Sequence, residues 1–166
     1  MSKIAVINCG SKKKSYACPA REMYEEGSLF KKIRDYVESE YDNYYILSGK
    51  YGLMTPDQII EPYEDVVFFV QKIFRDRAKK EGRILKAVPK NEQIIWGEKV
   101  WESLDWKSFD SVDFFINIYY WDPLKKHFTD TSKFTHKKFE RRLGPNLKKF
   151  NEKLKNNGIL DSKSKG

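Results

Sequence analysis

Cysteine and histidine are scarce in this chain of 166 residues, which contains only two of each. Cys9 and Cys18 lie nine positions apart, and the two histidines, His127 and His136, are far from both along the chain. This count argues against a disulfide framework and gives little support for a structural zinc site. We therefore expect a cytoplasmic protein that holds neither a metal ion nor another cofactor.

Long apolar runs are also missing. No stretch reaches the eighteen apolar residues that suggest a membrane-spanning helix, so we expect no membrane partner. The chain passes from Lys3 directly into four apolar residues, 4–7, which are too few for the core of a signal peptide. The length is that of one domain, which we expect to cover residues 1–160 and to be followed by a disordered tail at 161–166.

Positive charge is in excess and is unevenly distributed. The chain carries 32 basic and 24 acidic side chains, a net charge of +8. Residues 1–120 contain nineteen of each, so the excess lies in residues 121–166, which contain thirteen basic and five acidic side chains. A basic C-terminal quarter, 121–160, suits DNA or RNA, although a solvated helix face with a lysine-rich tail gives the same pattern. The candidate nucleic-acid contacts are Lys133, Lys137, Lys138, Arg141 and Arg142.

Strand and helix patterns alternate along the chain. Apolar runs typical of buried strands lie at 4–7, 44–47 and 113–120. Helices are predicted with Ser28 as an N-cap, across 67–74 and 94–104, and from Gly144–Pro145 onward. Gly49, Gly52 and Pro56 predict irregular structure as far as Ile59. The alternation favours an α/β fold, with a single three-layer domain and a mainly parallel central sheet.

Two polar loops that follow predicted strands carry most of the chemistry. They are Asn8–Lys14 (NCGSKKK) and the polar part of Tyr45–Tyr63 (YILSGKYGLMTPDQIIEPY). Parallel strands end at the same edge of a sheet, and α/β proteins usually bind their ligands there. The two loops therefore predict one shared site.

The first loop has the composition of an anion-binding loop. Gly10 and Ser11 expose backbone N–H groups, and the positive charges come from Lys12, Lys13 and Lys14. The spacing is not that of a Walker loop, so ATP hydrolysis is not indicated. Cys9 is either a nucleophile or a small buried apolar residue, which is the commoner role for a lone cysteine at a strand end.

The second loop offers reactive side chains on a compact backbone. Ser48, Lys50 and Tyr51 are the reactive types, while Gly49 and Gly52 allow a ligand to approach the main chain closely. The alternative is a tight turn with Tyr51 packed in the core.

Carboxylates and an aromatic residue follow this loop, with Tyr63 next to Glu64 and Asp65. Either acid could activate water or stabilise a cationic sugar, or could only complement the dipole of a following helix. Arg21 and Tyr24 would line the same cleft or lie on the surface.

The residues from Tyr45 to Tyr63 fit the string YxLSGxYGLxxPxxxIxPY, which is similar to the signature of the YaaA peroxide-stress family. The whole layout resembles still more closely that family's short bacterial and phage relatives. In those relatives a Cys-Gly-(polar)-Lys-Lys loop, a Pro-Ala-Arg-(x)-(x)-Tyr segment, a Phe-led helix and an LSxKYGL loop follow one another. The matching positions here are Cys9, Gly10, Lys12–Lys14, Pro19–Arg21, Tyr24, Phe30 and Leu47–Leu53. One departure is that the relatives have Pro-Tyr-Asp where Pro62-Tyr63 is followed here by Glu64 and then Asp65.

The resemblance implies DNA association, and a phage or defence setting for the short relatives. The loop layout also looks like that of uracil-DNA-glycosylase-type domains. In those domains one strand-end loop supplies an acid or water-holding residue, and a serine-containing loop pinches the backbone around an extruded nucleotide. This comparison is a fold-level analogy, which does not by itself define an activity.

Residues and resemblance together favour an enzyme that acts on a nucleobase or its N-glycosidic bond. In this hypothesis Glu64 or Asp65 positions water or stabilises the sugar cation. Phosphate would be held by Ser11, Lys12 and Lys13, with Ser48 and Lys50 on the opposite wall. Tyr51 and Tyr63 would stack on the base. The alternatives are a non-enzymatic YaaA-like DNA-binding protein and a binder or hydrolase of a small nucleotide.

Overall fold

The computed structural model describes residues 2–137. Its strands are β1 (Lys3–Asn8), β2 (Cys18–Pro19), β3 (Asn43–Ser48), β4 (Gly52–Met54), β5 (Ile59–Ile60), β6 (Asp65–Val67), β7 (Leu85–Ala87), β8 (Ser111–Phe115) and β9 (Phe134–His136). Its helices are α1 (Ala20–Met23), α2 (Ser28–Glu40), α3 (Lys72–Lys80), α4 (Lys90–Glu102) and α5 (Ile118–Leu124), with a 3-10 helix at Trp106–Ser108. None of the helices in this part of the chain is both long and apolar enough to cross a membrane. The predicted helix from Gly144–Pro145 and the predicted tail at 161–166 lie outside the described residues.

Among residues 2–137, five strands form the central sheet in the order β4-β3-β1-β8-β9. β1, β3, β8 and β9 run parallel, whereas β4 runs antiparallel at the edge beside β3. The register places Ile7 of β1 between Ile46 of β3 and Phe115 of β8. The predicted α/β fold with a mainly parallel sheet is confirmed, and the parallel strands end at one common edge.

Apolar cores cover both faces of the sheet. Ala5 and Ile7 lie in one core with buried residues of α2, and Ile4 and Val6 lie in the other with buried residues of α4 and α5. Each of these four side chains is at most 2% exposed. A parallel strand with helices on both faces is expected to have such an unbroken apolar run, which is why the sequence predicts β1 so clearly.

A small unit of β6, α3 and β7 lies beside the carboxyl edge of this sheet. β6 and β7 pair in parallel as a separate two-stranded sheet. Phe68, directly after β6, packs against the rings of Trp96 and Tyr120. The Gln93 amide donates hydrogen bonds to the carbonyl oxygens of Phe68 and Val88 at 2.9 and 2.8 Å. These contacts dock the unit onto α4 and α5.

The strand predicted across 113–120 is wrong beyond Phe115, where β8 ends. Asn117 is the N-cap of α5, because its side-chain oxygen accepts the backbone N–H of Tyr120 at 2.9 Å. An asparagine cap favours a helix start strongly enough to override the strand preference of the aromatic residues that follow. The predicted corner at 121–123 therefore lies inside α5.

The helix predicted across 67–74 is wrong before Lys72, where α3 begins. Val66 and Val67 instead pair with Lys86 and Ala87 of β7. β-branched side chains suit an extended strand, and the partner strand comes from a part of the sequence that we did not assign.

Three further details differ from the prediction. Gly27, and not Ser28, is the N-cap of α2. The irregular segment predicted after Gly49 contains β4, because Gly52 adopts a φ of +69° that lets the chain turn back onto β3. The helix predicted across 94–104 is present as α4, but it begins at Lys90 and ends at Glu102. Its buried residues are Gln93, Trp96, Gly97 and Val100.

Gly97 gives a direct test of how closely α4 and α5 pack. A Cβ atom at this position would lie 2.7 Å from the carbonyl oxygen of Pro123. Gly97→Ala should therefore lower the free energy of unfolding by about 2 kcal/mol, as overpacking does, although alanine is the better helix former by about 1 kcal/mol. Urea unfolding measures the change. The control is Asn91→Ala at an exposed site of the same helix, and a gain of stability in Gly97→Ala would contradict the packing.

Candidate functional site

A cleft of about 390 Å³ lies at the carboxyl ends of β1 and β8. Its floor comes from the end of β1 and the loop after it, together with Asn117 and Tyr120 at the start of α5. Its opposite wall comes from the unit formed by β6, α3 and β7. The residues that this unit contributes are Asp65, Val66, Val67, Phe69, Val70, Phe74, Arg77, Arg83 and Leu85. The cleft therefore lies at the sheet edge where the loops predicted it.

One carboxylate connects the two walls. Asp65 accepts a hydrogen bond from the Lys13 ammonium group at 2.7 Å through one oxygen and is paired with Arg83 through the other. The side chains of Lys13 and Asp65 are only 9% and 11% exposed. An ion pair with so little contact with water is weakened little by salt, and removing one partner would leave a buried charge unpaired.

The cleft has an excess of positive charge. Arg77 lines it together with Lys13 and Arg83, and among the described residues Asp65 is the one acidic side chain in its wall. Three cations and one carboxylate give a local charge of +2. This net positive charge favours an anionic ligand, which would also lie near the Asp65 carboxylate.

Buried hydroxyl groups support the floor of the site. The Tyr63 hydroxyl lies 2.6 Å from that of Tyr24 and 3.0 Å from that of Ser48. The Ser48 oxygen also accepts the backbone N–H groups of Lys50 and Tyr51 at 3.1 and 3.2 Å. Burial raises the pKa of both phenols, so they are neutral hydrogen-bonding groups at physiological pH. Ser48 acts here as the residue that shapes the second loop.

Cys9 joins the same region through Tyr120. Its sulfur lies 3.6 Å from the Tyr120 hydroxyl, which also accepts the Gly49 N–H at 3.0 Å. Burial raises the pKa of the Cys9 thiol, whereas a nucleophilic cysteine needs a lowered one. The geometry favours the interpretation of Cys9 as a small packed residue in the wall of the cleft.

The contact between Gly49 and Tyr120 leaves no room for a side chain at position 49. A Cβ atom there would lie 3.1 Å from the Tyr120 hydroxyl oxygen and 3.2 Å from the Val66 side chain. The second loop, α5 and β6 therefore meet at a point with no room for a side chain.

β6 divides the predicted shared site into two cavities. A second cavity, of about 540 Å³, lies on the other side of β6. Glu64 lines this second cavity, whereas Asp65 lines the cleft. The second loop contributes four residues to this second cavity, Gly49, Lys50, Tyr51 and Gly52. Tyr63 lines the cleft, and the ammonium groups of Lys13 and Lys50 lie 4.6 and 5.4 Å from its ring centroid.

Other predicted site residues lie elsewhere. Arg21 forms two hydrogen bonds of 2.9 Å to Glu38 of α2, and neither Arg21 nor Lys12 lines either cavity. Lys133 lies just before β9, at the opposite edge of the sheet from the cleft, and donates to the Lys107 carbonyl at 2.7 Å. Lys137 follows β9 at the same edge as the cleft. Lys138, Arg141 and Arg142 lie outside the described residues.

The sequence interpretation missed the contribution of α3 and β7. Residues 71–90 contain eight basic and two acidic side chains, a net charge of +6, but this excess is hidden within the neutral balance of residues 1–120. A count over shorter windows would have found it. Asn117 was missed because the run around it was assigned to a strand.

The described residues contain no group of three or more His, Cys, Asp or Glu side chains arranged to hold a metal ion. The polar side chains of the cleft are instead amides, hydroxyl groups, a thiol, three cations and one carboxylate. These groups can hold a phosphate, hydrogen-bond a base and place one negative charge beside it.

The structure is that of an α/β protein with a cationic cleft at the carboxyl edge of its central sheet. Residues 4–152 match the model of a family described as a family of unknown function (DUF6884), and the chain belongs to that family. No curated protein and no solved structure gives a match. The matched range includes every residue that lines the cleft and the second cavity.

The raised pKa of Cys9 predicts a slow thiol. In a Cys18→Ser protein at pH 8, Cys9 should react with iodoacetamide at least about tenfold more slowly than in the same protein unfolded in urea, because only the thiolate attacks and the unfolded thiol has a pKa of about 8.5. Mass spectrometry of timed samples measures the rate. Faster alkylation of the folded protein would instead identify an activated cysteine.

Proposed function

We propose that this protein is a nucleic-acid-associated enzyme that binds one nucleotide in the cleft and acts on its N-glycosidic bond or its base. One observation carries the proposal. Three cations, a single carboxylate and aromatic side chains meet in one small cavity at the carboxyl edge of a parallel sheet.

The charges and rings suit the parts of a nucleotide. Lys13, Arg77 and Arg83 can hold a phosphate, since guanidinium groups match its oxygens and remain charged. Phe74 provides an apolar surface for a base. The Asn117 side-chain oxygen caps α5, which leaves its NH₂ group as a donor toward a base.

Asp65 is the residue to which we assign the chemistry. In hydrolysis, a water oxygen bonds to the anomeric carbon of the sugar and the carbon–nitrogen bond to the base breaks. The bonding electron pair leaves with the base, the water proton passes to Asp65, and a proton reaches the base nitrogen from solvent. A carboxylate beside the sugar stabilises the cationic transition state and orients the water. Lys13 and Arg83 hold this carboxylate in position.

The resemblance to the YaaA family, and the layout shared with uracil-DNA-glycosylase-type domains, support the proposal by analogy. Both associate strand-end loops of this kind with DNA. In glycosylase-type enzymes the target nucleotide is taken out of the base stack before the chemistry. Under this proposal Ser48 acts through Tyr63 and the loop backbone, and Lys50 and Glu64 belong to the second cavity.

The adjacent acids Glu64 and Asp65 offer a matched pair of variants, because they line different cavities. Asp65→Asn should lower the rate of base release at least about 100-fold, as loss of a general base does, while Glu64→Gln should stay near the wild-type rate. The assay incubates the protein with normal and hypermodified DNA, tRNA and a nucleotide panel, and detects free bases by mass spectrometry. A thermal melt of each variant separates lost chemistry from lost folding.

Other outcomes would redirect the assignment. Loss of activity in Glu64→Gln with full activity in Asp65→Asn would move the chemistry to the second cavity. Salt-sensitive DNA binding without any base release would leave the YaaA-like binding role. Conversion of free nucleotides alone would support an enzyme for small nucleotides.

A further inference from the structure

We propose that the substrate reaches the cleft as single-stranded nucleic acid, held outside it by α3 and by the stacked rings of Phe69 and Tyr119. This inference rests on the proposed function, which places one nucleotide inside the cleft. It concerns the protein surface just outside the cleft, where the rest of the strand would bind.

The stacked rings form a platform at the wall of the cleft. The Phe69 and Tyr119 rings lie 4.8 Å apart between centroids with an interplanar angle of 1°. Phe69 lines the cleft and is still 43% exposed, so its ring has area left for another flat group. A nucleobase can extend such a stack whatever its sequence, because every base has a π-face.

Two exposed apolar side chains are next in sequence to residues that line the cleft. Ile73 and Ile118 are 63% and 41% exposed, and they are the chain neighbours of Phe74 and Asn117, which line the cleft. Exposed apolar groups near a cavity can contribute to an interaction surface. They suit the unpaired bases on either side of the nucleotide in the cleft.

α3 adds the charge that a nucleic-acid backbone requires. Arg77 faces the cleft, and further exposed basic residues continue along the helix outside it. These residues are Arg75, Lys79 and Lys80. Asp76 is the one acidic side chain of α3, and it pairs with Lys72. Cations beside an aromatic platform are the combination that holds a single strand by its phosphates and bases together.

The platform favours a single strand over a duplex. Bases within an intact duplex are covered by their neighbours on both faces, so they cannot stack on Phe69. An unpaired strand offers those faces without the cost of unstacking.

The test measures binding as a function of strand length. Fluorescein-labelled single strands of one, four and about twelve nucleotides, as DNA and as RNA, are titrated with the full chain and followed by anisotropy. Affinity should rise at least about tenfold from one to four nucleotides and should fall when the complementary strand is added. Equal affinity for all lengths, or preference for the duplex, would overturn the proposal.

Variants test whether the gain in affinity with strand length comes from α3 and the stacked rings. Phe69→Leu keeps an apolar side chain but removes the ring, and it should lower the affinity for the four-nucleotide strand about tenfold. Arg75→Glu with Lys80→Glu, both outside the cleft, should remove most of the gain with length and leave binding of one nucleotide unchanged. The controls are Tyr16→Leu, an exposed ring that lines neither cavity, and Lys3→Glu with Lys107→Glu, which make the same charge change at the opposite edge of the sheet.

The two proposals fail in distinguishable ways. A gain with length that disappears in the α3 variant supports the binding surface, even if Asp65→Asn shows that the chemistry was assigned wrongly. Base release that depends on Asp65, with no gain in affinity with strand length, would support the proposed enzyme and rule out the proposed single-strand binding surface.

Discussion

The contact of Asp65 with Lys13 and Arg83 is the interaction on which the site depends. It joins the loop after β1 to β6 and to the approach to β7, three segments that are distant in sequence. Burial of charge is unfavourable unless the partners stay paired, so this contact fixes the separation of the walls as well as the charge of the cleft. A phosphate would approach the same two cations. The ion pairs of Asp65 with Lys13 and Arg83 organise the cleft when no ligand is bound. The same ion pairs would lie closest to the charge of a bound phosphate.

The division into two cavities follows from the geometry of an extended chain. Successive side chains of a strand point to opposite sides, and so the neighbouring acids Glu64 and Asp65 line different cavities. Gly49 allows the second loop to pack against Val66 of β6 and against Tyr120, which closes the wall between the cavities. A small change in the register of β6 would exchange the two acids, which makes the pairing of β6 with β7 a functional constraint as well as a structural one.

The sequence predicts the parts of this fold that depend on local burial. The strands around Ile7 and Ile46, and the loops that follow them, are evident because a fully buried parallel strand has an unbroken apolar run. The unit of β6, α3 and β7 is not evident, because two three-residue strands are stable only through a partner from another part of the chain. The start of α5 is hidden for a different reason: one capping asparagine, Asn117, changes the structure of an aromatic run. A cleft therefore lies at the sheet edge where the two loops predict a site, whereas the sequence did not indicate the wall that α3 and β7 form.

A crystal structure of the Asp65→Asn protein with a four-nucleotide single strand would show directly whether a nucleotide lies in the cleft. We expect one nucleotide inside the cleft, with its phosphate within hydrogen-bonding distance of Lys13, Arg77 or Arg83 and a neighbouring base stacked on Phe69. A strand bound in the second cavity beside Lys50, with the cleft empty of nucleotide, would contradict it.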